Sequence, residues 1–147
     1  MAEFYVPITN NFFATQIAEL LNKHNKLTVV HSAGSIMGSN TKYFVELLSS
    51  PAIEKRVVGC VGLQYEPTGL SKIRHVCIEP EYRRFGVAKS LVELAIQNAS
   101  TDYVYMTIRE DNIPSLKLAK SLGFIEAQRI WKKDHYVICV SRRKKLK

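Results

Sequence analysis

One stretch of the sequence, residues 73–90, constrains the fold more than any other. It begins with an apolar, strand-like run at 73–78, which stops at Pro80. A single glycine, Gly86, then precedes an amphipathic helical pattern that continues to about residue 99. Because a strand, a glycine-containing turn and a helix follow one another so closely, the stretch predicts a strand–turn–helix unit of an α/β domain.

The start of this helix has the features of an anion site. The first backbone N–H groups of a helix have no intrahelical partners, and the helix dipole places partial positive charge at the same end. Gly86 has no side chain to block an approaching phosphate, and Arg83, Arg84 and Lys89 add positive charge. The pattern therefore predicts a pyrophosphate site at the start of the helix. An ordinary helix N-terminus with surface arginines explains this stretch, taken alone, equally well.

Two other phosphate-binding motifs do not fit the same residues. A P-loop has two glycines at fixed spacing before its lysine, and these are absent before Lys89. The dinucleotide-binding fingerprint requires three glycines, and here Gly86 stands alone. Nucleotide binding of either kind is therefore not expected.

A second strand–helix unit follows about one helix downstream. Residues 103–108 alternate like a strand, and a helical pattern begins after Asn112. The Asn112 side chain can cap that helix, and Pro114 is tolerated in its first turn. Gly123 can end the helix as the residue after the C-cap. The chain therefore predicts two successive units whose helices have clear start and stop signals.

Together these units resemble the two central motifs of the GNAT superfamily of acyl-CoA-dependent N-acetyltransferases. The resemblance rests on the pattern R-x-x-G-x-A, which begins at Arg83, and on N-x-x-S and L-G-F, which begin at Asn112 and Leu122. It covers residues 57–124, roughly half of the chain. It implies a single α/β domain at 1–141 with a mixed central β-sheet flanked by helices, in the order β-α-α-β-β-β-α-β-α-β-β.

The resemblance also implies a function, which is transfer of an acetyl group from acetyl-CoA to a primary amine of a protein, a peptide or a small metabolite. The backbone at 76–78 would pair with the pantetheine arm, and the amide of Val76 would polarise the thioester carbonyl. A preset N–H donor of this kind is worth a few kcal/mol when charge develops on oxygen. The residues implied to contact acetyl-CoA are Val76, Cys77, Ile78, Arg83, Arg84, Phe85, Gly86, Val87, Ala88, Lys89, Asn112 and Ser115.

The positions at which members of the family handle protons hold other residues in this chain. Ala119 stands where many members have a tyrosine that protonates the leaving thiolate, and Thr107 stands where the branch that acetylates protein N-termini has a glutamate. Lys72 and Arg74 occupy strand positions where other branches have a glutamate or histidine base. Neither is a base at neutral pH without a very large pKa depression. No catalytic residue is assigned, and the alternative function is a catalytically silent acyl-CoA-binding regulatory module.

Three further residues could take or give a proton. His75 titrates near neutral pH, but strict strand alternation would place it on the opposite face from Lys72 and Arg74. His135 and Tyr136 fall on the last strand pattern, which in the resembled family borders the acceptor cleft. A packing role is favoured for these residues, because aromatic side chains on strands mostly pack.

Composition and charge limit the kinds of binding partner that this chain is expected to have. The 147 residues suffice for one domain, and no apolar run reaches the ~20 residues that span a membrane. Much of the net charge of +8 comes from the basic C-terminal tail at 142–147. Because no aromatic residues are interleaved there, a frayed, solvated tail is favoured over a nucleic-acid tether. The expected partners are acetyl-CoA and an amine acceptor, without membrane or nucleic acid, and a homodimer stays open.

The cysteines and the N-terminus bear on location. Cys60, Cys77 and Cys139 lie in strand-like segments without metal-ligand spacing, which predicts reduced core thiols and no metal site. The N-terminus lacks the pattern of a secretory signal peptide. These features together favour a cytoplasmic protein.

The rest of the chain has weaker patterns. The glycine- and serine-rich stretch at 32–40 predicts a mobile loop that covers the acceptor, and residues 41–48 predict a second helix. The remaining elements are predicted as a helix at about 12–23 and strands at about 4–8, 56–65, 70–78, 124–130 and 134–141.

Overall fold

The computed structural model describes residues 2–5, 11–25, 30–50, 53–83 and 86–145. The elements in chain order are strand β1 (Ala2–Tyr5), helices α1 (Asn11–His24) and α2 (Ala33–Gly38), strands β2 (Thr41–Ser50), β3 (Ile53–Tyr65) and β4 (Ser71–Ile78), a 3₁₀ turn (Pro80–Tyr82), helix α3 (Val87–Asn98), strand β5 (Tyr103–Arg109), helix α4 (Ile113–Ser121), and strands β6 (Ile125–Lys132) and β7 (His135–Arg143). This order confirms the predicted mixed α/β fold.

The seven strands of the described chain form one sheet, in the order β1-β2-β3-β4-β5-β7-β6. Every neighbouring pair is antiparallel except β4 and β5, which run parallel. These two strands are paired only near their starts, at Ser71↔Val104 and Lys72↔Tyr105. Beyond that point they separate, and we call the gap between residues 73–78 of β4 and 106–109 of β5 the fork.

A β-bulge interrupts β4 beside the fork. Two residues of β4, His75 and Val76, lie opposite the single residue Val61 of β3. The backbone of His75 is left-handed, with a φ of 57°, which costs a non-glycine residue about 1–2 kcal/mol. Because a bulge adds one residue, it reverses side-chain alternation along the strand. Ile73 and Ile78, which strict alternation would place on opposite faces, accordingly pack in the same core.

Each face of the sheet has its own core. Helices α3 and α4 pack on one side, which we call the α3 face, and α1 and α2 pack on the other, which we call the α1 face. Within the described ranges, the α1-face core takes residues from β2, β3 and β4 but none from β5, β6 or β7. In the described part of the chain, the α1 face therefore has no buried core from the fork outward. The largest fully buried side chains of the two cores include Phe44, Ile73 and Leu91 on the α3 face and Ile17, Leu21, Ile36 and Tyr43 on the α1 face.

Both ends of α4 have the caps that the sequence predicted. The Asn112 side chain accepts a hydrogen bond from the backbone N–H of Ser115, at 3.3 Å. At the other end Gly123 is left-handed, with a φ of 85°. The N–H groups of Gly123 and Phe124 donate to the carbonyls of Lys120 and Ala119, at 3.0 Å each. These bonds form a Schellman motif, which fixes where the chain enters β6.

The prediction of a helix at 41–48 was wrong, because these residues belong to β2. Tyr43 and Val45 pack in the α1-face core, and Phe44 packs in the α3-face core. A strand that lies between two packed layers is apolar on both faces. Its sequence therefore lacks alternation and cannot be told from a short buried helix by periodicity.

The prediction of a mobile loop at 32–40 was also wrong, because α2 occupies most of it. The Ser32 side chain accepts from the Ser35 N–H at 3.1 Å, and the Ser35 side chain accepts from the Ser32 N–H at 2.9 Å. This reciprocal pair is a capping box, and Ile36 is buried beneath it. The serines that suggested flexibility are helix caps.

The described part of the basic tail is also ordered. Arg142 lies in β7 and donates to the carbonyl of Leu122 at 2.7 Å, while the Lys144 ammonium donates to the carbonyl of Ala99 at 2.6 Å. The expectation of a frayed end is therefore wrong for residues 142–144, and residues 146–147 lie outside the described ranges. No helix in the described ranges is long and apolar enough to cross a bilayer.

Candidate active site at the fork of the sheet

The N-terminus of α3 lies where the sequence predicted an anion site. Gly86 is its N-cap and is left-handed, with a φ of 71°, a conformation that glycine adopts without steric cost. A Cβ atom added to Gly86 would meet no atom of the described residues within 4 Å. No described side chain caps this end, and its first N–H groups are available to an anion. Val87 and Ala88 pack against the α3-face core and hold the helix in place.

The turn between β4 and α3 contains the predicted arginines. The Arg83 side chain donates from Nε to the carbonyl of Ile78 at 3.0 Å, so it closes the turn. Lys89 is exposed on the first turn of α3. Arg84 and Phe85, which were also predicted to contact the cofactor, lie outside the described residues.

At the fork, the side chains at 76–78 of β4 pack in the two cores, and the backbone edge of the strand faces the gap. The side chain of Val76 is partly buried against the α3-face core, and Ile78 is buried in that core. Cys77 is buried on the α1 face, where its thiol donates to the carbonyl of Leu20 at 3.5 Å. Burial raises the pKa of Cys77 to about 11, so the thiol stays protonated at neutral pH. Residues 73–78 have a strand partner only on the β3 side.

The opposite side of the fork carries the other predicted cofactor contacts. Asn112 and Ser115 lie at the N-terminus of α4, immediately after β5. Because β4 leads into α3 and β5 leads into α4, both helix N-termini lie at the same open end of the fork. The structure thus brings together the described members of the predicted set, although the Asn112 oxygen also serves as the cap of α4.

His75 lies on the α1 face, together with Lys72 and Arg74. Its Nδ1 atom is 2.8 Å from the hydroxyl of Tyr43, which packs in the α1-face core. Its Nε2 atom accepts a hydrogen bond from Arg74 Nε at 3.2 Å. The expectation that His75 points to the opposite face from Arg74 was wrong, because it assumed regular alternation and the bulge begins at His75.

These contacts define the protonation state of His75. Arg74 Nε is always a donor, so Nε2 accepts and the proton of the neutral ring is on Nδ1, which donates to Tyr43. Burial, and then the charge of Arg74, lowers the pKa of His75 to about 3. His75 is therefore neutral with both ring nitrogens occupied, and it is poorly suited to act as a general base.

A second group of side chains lies at the closed end of the fork. The Tyr105 hydroxyl donates to Glu66 at 2.7 Å, and burial followed by this bond raises the pKa of Tyr105 to about 12. The Lys72 ammonium lies 5.9 Å from the centroid of the Tyr105 ring. Burial, and then the charge of Arg74, lowers the pKa of Lys72. This part of the α1 face is therefore cationic and contains a tyrosine that stays protonated.

The other positions singled out from the sequence add no general acid or base to this group. Ala119 is buried in the α3-face core, and Thr107 is exposed on β5. Tyr136 lies two residues from Ile138, which packs in the α3-face core, so the two side chains share that face. The Tyr136 ring contacts Trp131 edge-on at 4.9 Å between centroids. His135 is hydrogen-bonded to Asp134 at 2.8 Å.

Sequence reasoning missed several residues of the α1-face group. Tyr43 was missed because its segment was assigned to a helix. Glu66 and Tyr105 carry no local signal, since their hydrogen bond joins positions 39 residues apart. The hairpin signal at 66–69 predicted the turn correctly, but nothing in it indicates that the first residue reaches β5.

Two open surface cavities lie elsewhere, with volumes of about 550 and 620 Å³. The first lies between α4 and the β6–β7 hairpin, and the second lies along α1. Neither is lined by a residue of β4. The fork differs from both because it is a gap between strands, which an extended ligand can occupy in the manner of an added strand.

Comparison with known proteins identifies the family. Residues 22–124 match the acetyltransferase (GNAT) family. The chain is 29% identical over 82 residues to N-alpha-acetyltransferase 30 of Saccharomyces cerevisiae, and this match covers 51% of the chain and only 47% of the yeast protein.

Solved structures share the fold at low identity. Arabidopsis thaliana NAA60, solved with a bisubstrate analogue, superimposes with a TM-score of 0.73 at 15% identity, over 97% of this chain and 98% of the other. An aminoglycoside 6′-N-acetyltransferase solved with coenzyme A gives a TM-score of 0.79 at 11% identity, over 100% and 98% of the two chains. Since the family pattern spans more than half of the sequence and the fork lies within it, this chain belongs to the acetyltransferase (GNAT) family.

Proposed function

We propose that this chain is an acetyl-CoA-dependent N-acetyltransferase whose acceptor is a primary amine. The observation that carries the proposal is the fork, an unpaired strand edge at 73–78 that ends at a helix with free N–H groups. Family membership supports the same donor. The yeast relative, an N-alpha-acetyltransferase by name, favours the α-amino group of a protein or peptide as the acceptor.

In this proposal the two reactants approach from opposite faces of the sheet. The N–H groups at Gly86, Val87, Ala88 and Lys89 would hold the pyrophosphate on the α3 face. The backbone of Val76, Cys77 and Ile78 would pair with the pantetheine arm along the fork, and Asn112 and Ser115 would contact it from α4. The amine would arrive from the α1 face, which no described helix covers beyond β4.

The chemistry required of the protein is modest. Acetyl-CoA supplies an activated thioester; the amine nitrogen forms a bond to the acetyl carbon, the C–S bond breaks, and one proton moves from the amine to the departing sulfur or to solvent. The amide of Val76 would face the carbonyl oxygen and stabilise the charge that develops there. Holding both reactants in the fork lowers the entropic part of the barrier. No described residue of the fork is assigned as general base.

The first experiment is thermal unfolding with and without acetyl-CoA, followed by free-thiol release with a panel of amines. Ligand at ~100 times its dissociation constant stabilises a protein by about 2.7 kcal/mol, which corresponds to roughly 5–10 °C for a chain of this size. We expect a shift of that size, and thiol release with at least one peptide amine.

Two other outcomes are informative. The absence of a shift at millimolar acetyl-CoA would contradict the donor site. A clear shift without thiol release from any amine would instead favour the silent acyl-CoA-binding module, because Lys72 and Arg74 occupy positions where the family resemblance implies a base in other branches.

A further inference from the structure

Two cations on the α1 face of β4 have no carboxylate partner in the described part of the chain. Arg74 donates to Gln64 Oε1 at 2.9 Å and to His75 Nε2 at 3.2 Å, and both acceptors are neutral. Lys72 has no hydrogen bond or ion pair to a described residue, and its described contact is the face of the Tyr105 ring. The two residues are i and i+2 on one strand, so their side chains share a face about 6.6 Å apart along it.

The described groups that act electrostatically on this pair are few. From the β3–β4 turn, Glu66 is the nearest carboxylate, and it accepts from the Tyr105 hydroxyl. β7 contributes the Cys139 thiol, and the α1 side of the sheet contributes the neutral rings of His75 and His31. Acidic residues are absent from α2, whose sequence is AGSIMG. The surroundings therefore leave the pair net positive.

Two arginines elsewhere have carboxylate partners, whereas Arg83 and Arg142 donate to backbone carbonyls. Arg109 contacts Asp111 at 3.2 Å, and Arg129 contacts Glu126 at 2.9 Å, and both pairs are well exposed. The half-buried Lys72 and Arg74 lack such partners, although burial makes pairing more important. Their mutual repulsion is part of what lowers the pKa of Lys72. An anion brought by a ligand would relieve it.

We propose that Lys72 and Arg74 bind a carboxylate of the acceptor, so that the preferred acceptors are peptides with an acidic side chain at the second or third position. This inference rests on the proposed function. The bulge places Val76 opposite Val61, two residues along β3 from the partner of Ile73. The midpoint between the two cations therefore lies about 7 Å along β4 from Val76. A peptide amine placed at Val76 reaches that distance with a glutamate side chain one or two residues on, whereas the carboxylate of a free amino acid lies too close to its own amine.

The test compares acetylation of matched peptides that differ at one side chain. Peptides with a free α-amine and glutamate, glutamine or arginine at position 2 or 3 are assayed by thiol release, with free glutamate as the small-molecule arm. We expect kcat/KM to be about 10- to 100-fold higher for glutamate than for glutamine peptides, as for hydrogen bonds to charged groups. The preference should shrink between 0.05 and 0.5 M salt. Free glutamate should be a poor acceptor.

Variants separate this site from general charge effects. Lys72→Gln should abolish the preference for glutamate over glutamine, and Lys72→Glu should shift it toward the arginine peptide. The matched control is Lys42→Gln, because Lys42 is exposed on β2 and paired with Leu63, a residue of the α3-face core. That variant removes the same charge from the other face and should keep the wild-type preference. Acetyl-CoA should stabilise all of these variants as it stabilises wild type.

The outcomes distinguish this inference from the proposed function. Equal kcat/KM for glutamate and glutamine peptides, or a preference that survives Lys72→Gln, would overturn the carboxylate site while leaving the acetyltransferase intact. If no peptide releases thiol, the carboxylate site is tested by peptide binding, measured as the fluorescence anisotropy of fluorescein-labelled peptides in the presence of CoA. Tighter binding of the glutamate peptide that is lost in Lys72→Gln would support the site, and equal binding would overturn it.

Discussion

Tyr43→Phe removes one hydroxyl group and tests whether side chains hold the β4 bulge. Tyr43 is 1% exposed, and its hydroxyl accepts from His75 Nδ1 at 2.8 Å. Without it a half-buried ring N–H has no partner, which costs about 1–3 kcal/mol. A chain of this size loses about 2–4 °C per kcal/mol, so the expected drop in Tm is roughly 2–12 °C.

The same variant should slow acetyl transfer. The left-handed backbone at His75 costs about 1–2 kcal/mol and persists because its surroundings hold it. With the ring released on one side, β4 can relax toward regular extension, which would move the Val76 amide away from the position proposed for the thioester oxygen. Complete loss of such a donor costs about 10²–10³ in kcat. We expect a fall of about 10-fold or more, since the donor is displaced and not removed.

Steady-state kinetics with acetyl-CoA as the varied substrate tests this reasoning. KM for acetyl-CoA should stay within about twofold, because the N-terminus of α3 is untouched. Tyr103→Phe is the matched control, because Tyr103 is exposed and its ring lies against Arg143 of β7, on the other side of the fork. If Tyr43→Phe lowers Tm but leaves kcat unchanged, the bulge does not depend on the His75–Tyr43 bond and the reasoning is refuted.

Two shorter predictions follow from the same residues. Gly86→Ala and Gly69→Ala both place alanine at a left-handed position with no described atom within 4 Å of the new Cβ, so both should cost about 1 kcal/mol of stability. Only Gly86→Ala should weaken acetyl-CoA binding in a thermal-shift titration, and equal weakening by both would contradict the α3 site. The pKa of His75 is lowered from 6.5 to about 3, so the unfolded chain binds the extra proton between those values and this contribution to stability is lost as pH falls below 6.5. After a discount for partial exposure of the ring, the free energy of unfolding should fall by about 0.5–1 kcal/mol per pH unit. Urea unfolding of wild type and His75→Asn at pH 6.5 and 5 should show this fall only in wild type. Equal losses in both proteins would show that the acid sensitivity comes from another group.

Local signals predicted the α3 face of the fork well. Gly86, Asn112 and Gly123 mark helix ends, and helix ends are set by a few neighbouring residues whose conformation or capping bond is local. The strand before α3 and the helix after β5 were therefore placed within a residue or two. Contacts made by backbone N–H groups follow from these elements directly, so the candidate cofactor residues could be named before the fold was known.

The α1 face could not be predicted in the same way. At the bulge, two residues of β4 lie opposite the single residue Val61 of β3. This irregularity depends on how the two strands pair, and the local sequence of β4 carries no pattern that indicates it. It reversed the alternation on which the placement of His75 relied. Tyr43 was lost with the misassigned helix, since an apolar run buried on both faces has no period to detect.

The α3 face could be predicted and the α1 face could not, and this difference corresponds to two kinds of contact in the proposed site. The proposed donor half uses backbone groups, so its side chains can vary as long as Gly86 and the helix starts remain. The proposed acceptor half uses the side chains of Lys72 and Arg74 on β4, and there a single substitution changes both charge and shape. The family resemblance implies a base at the positions of Lys72 and Arg74 in other branches, and in our proposal these positions recognise charge in this chain. Specificity for the acceptor should therefore change far more readily by substitution than affinity for acetyl-CoA, and the Lys72 and Gly86 variants measure the two separately.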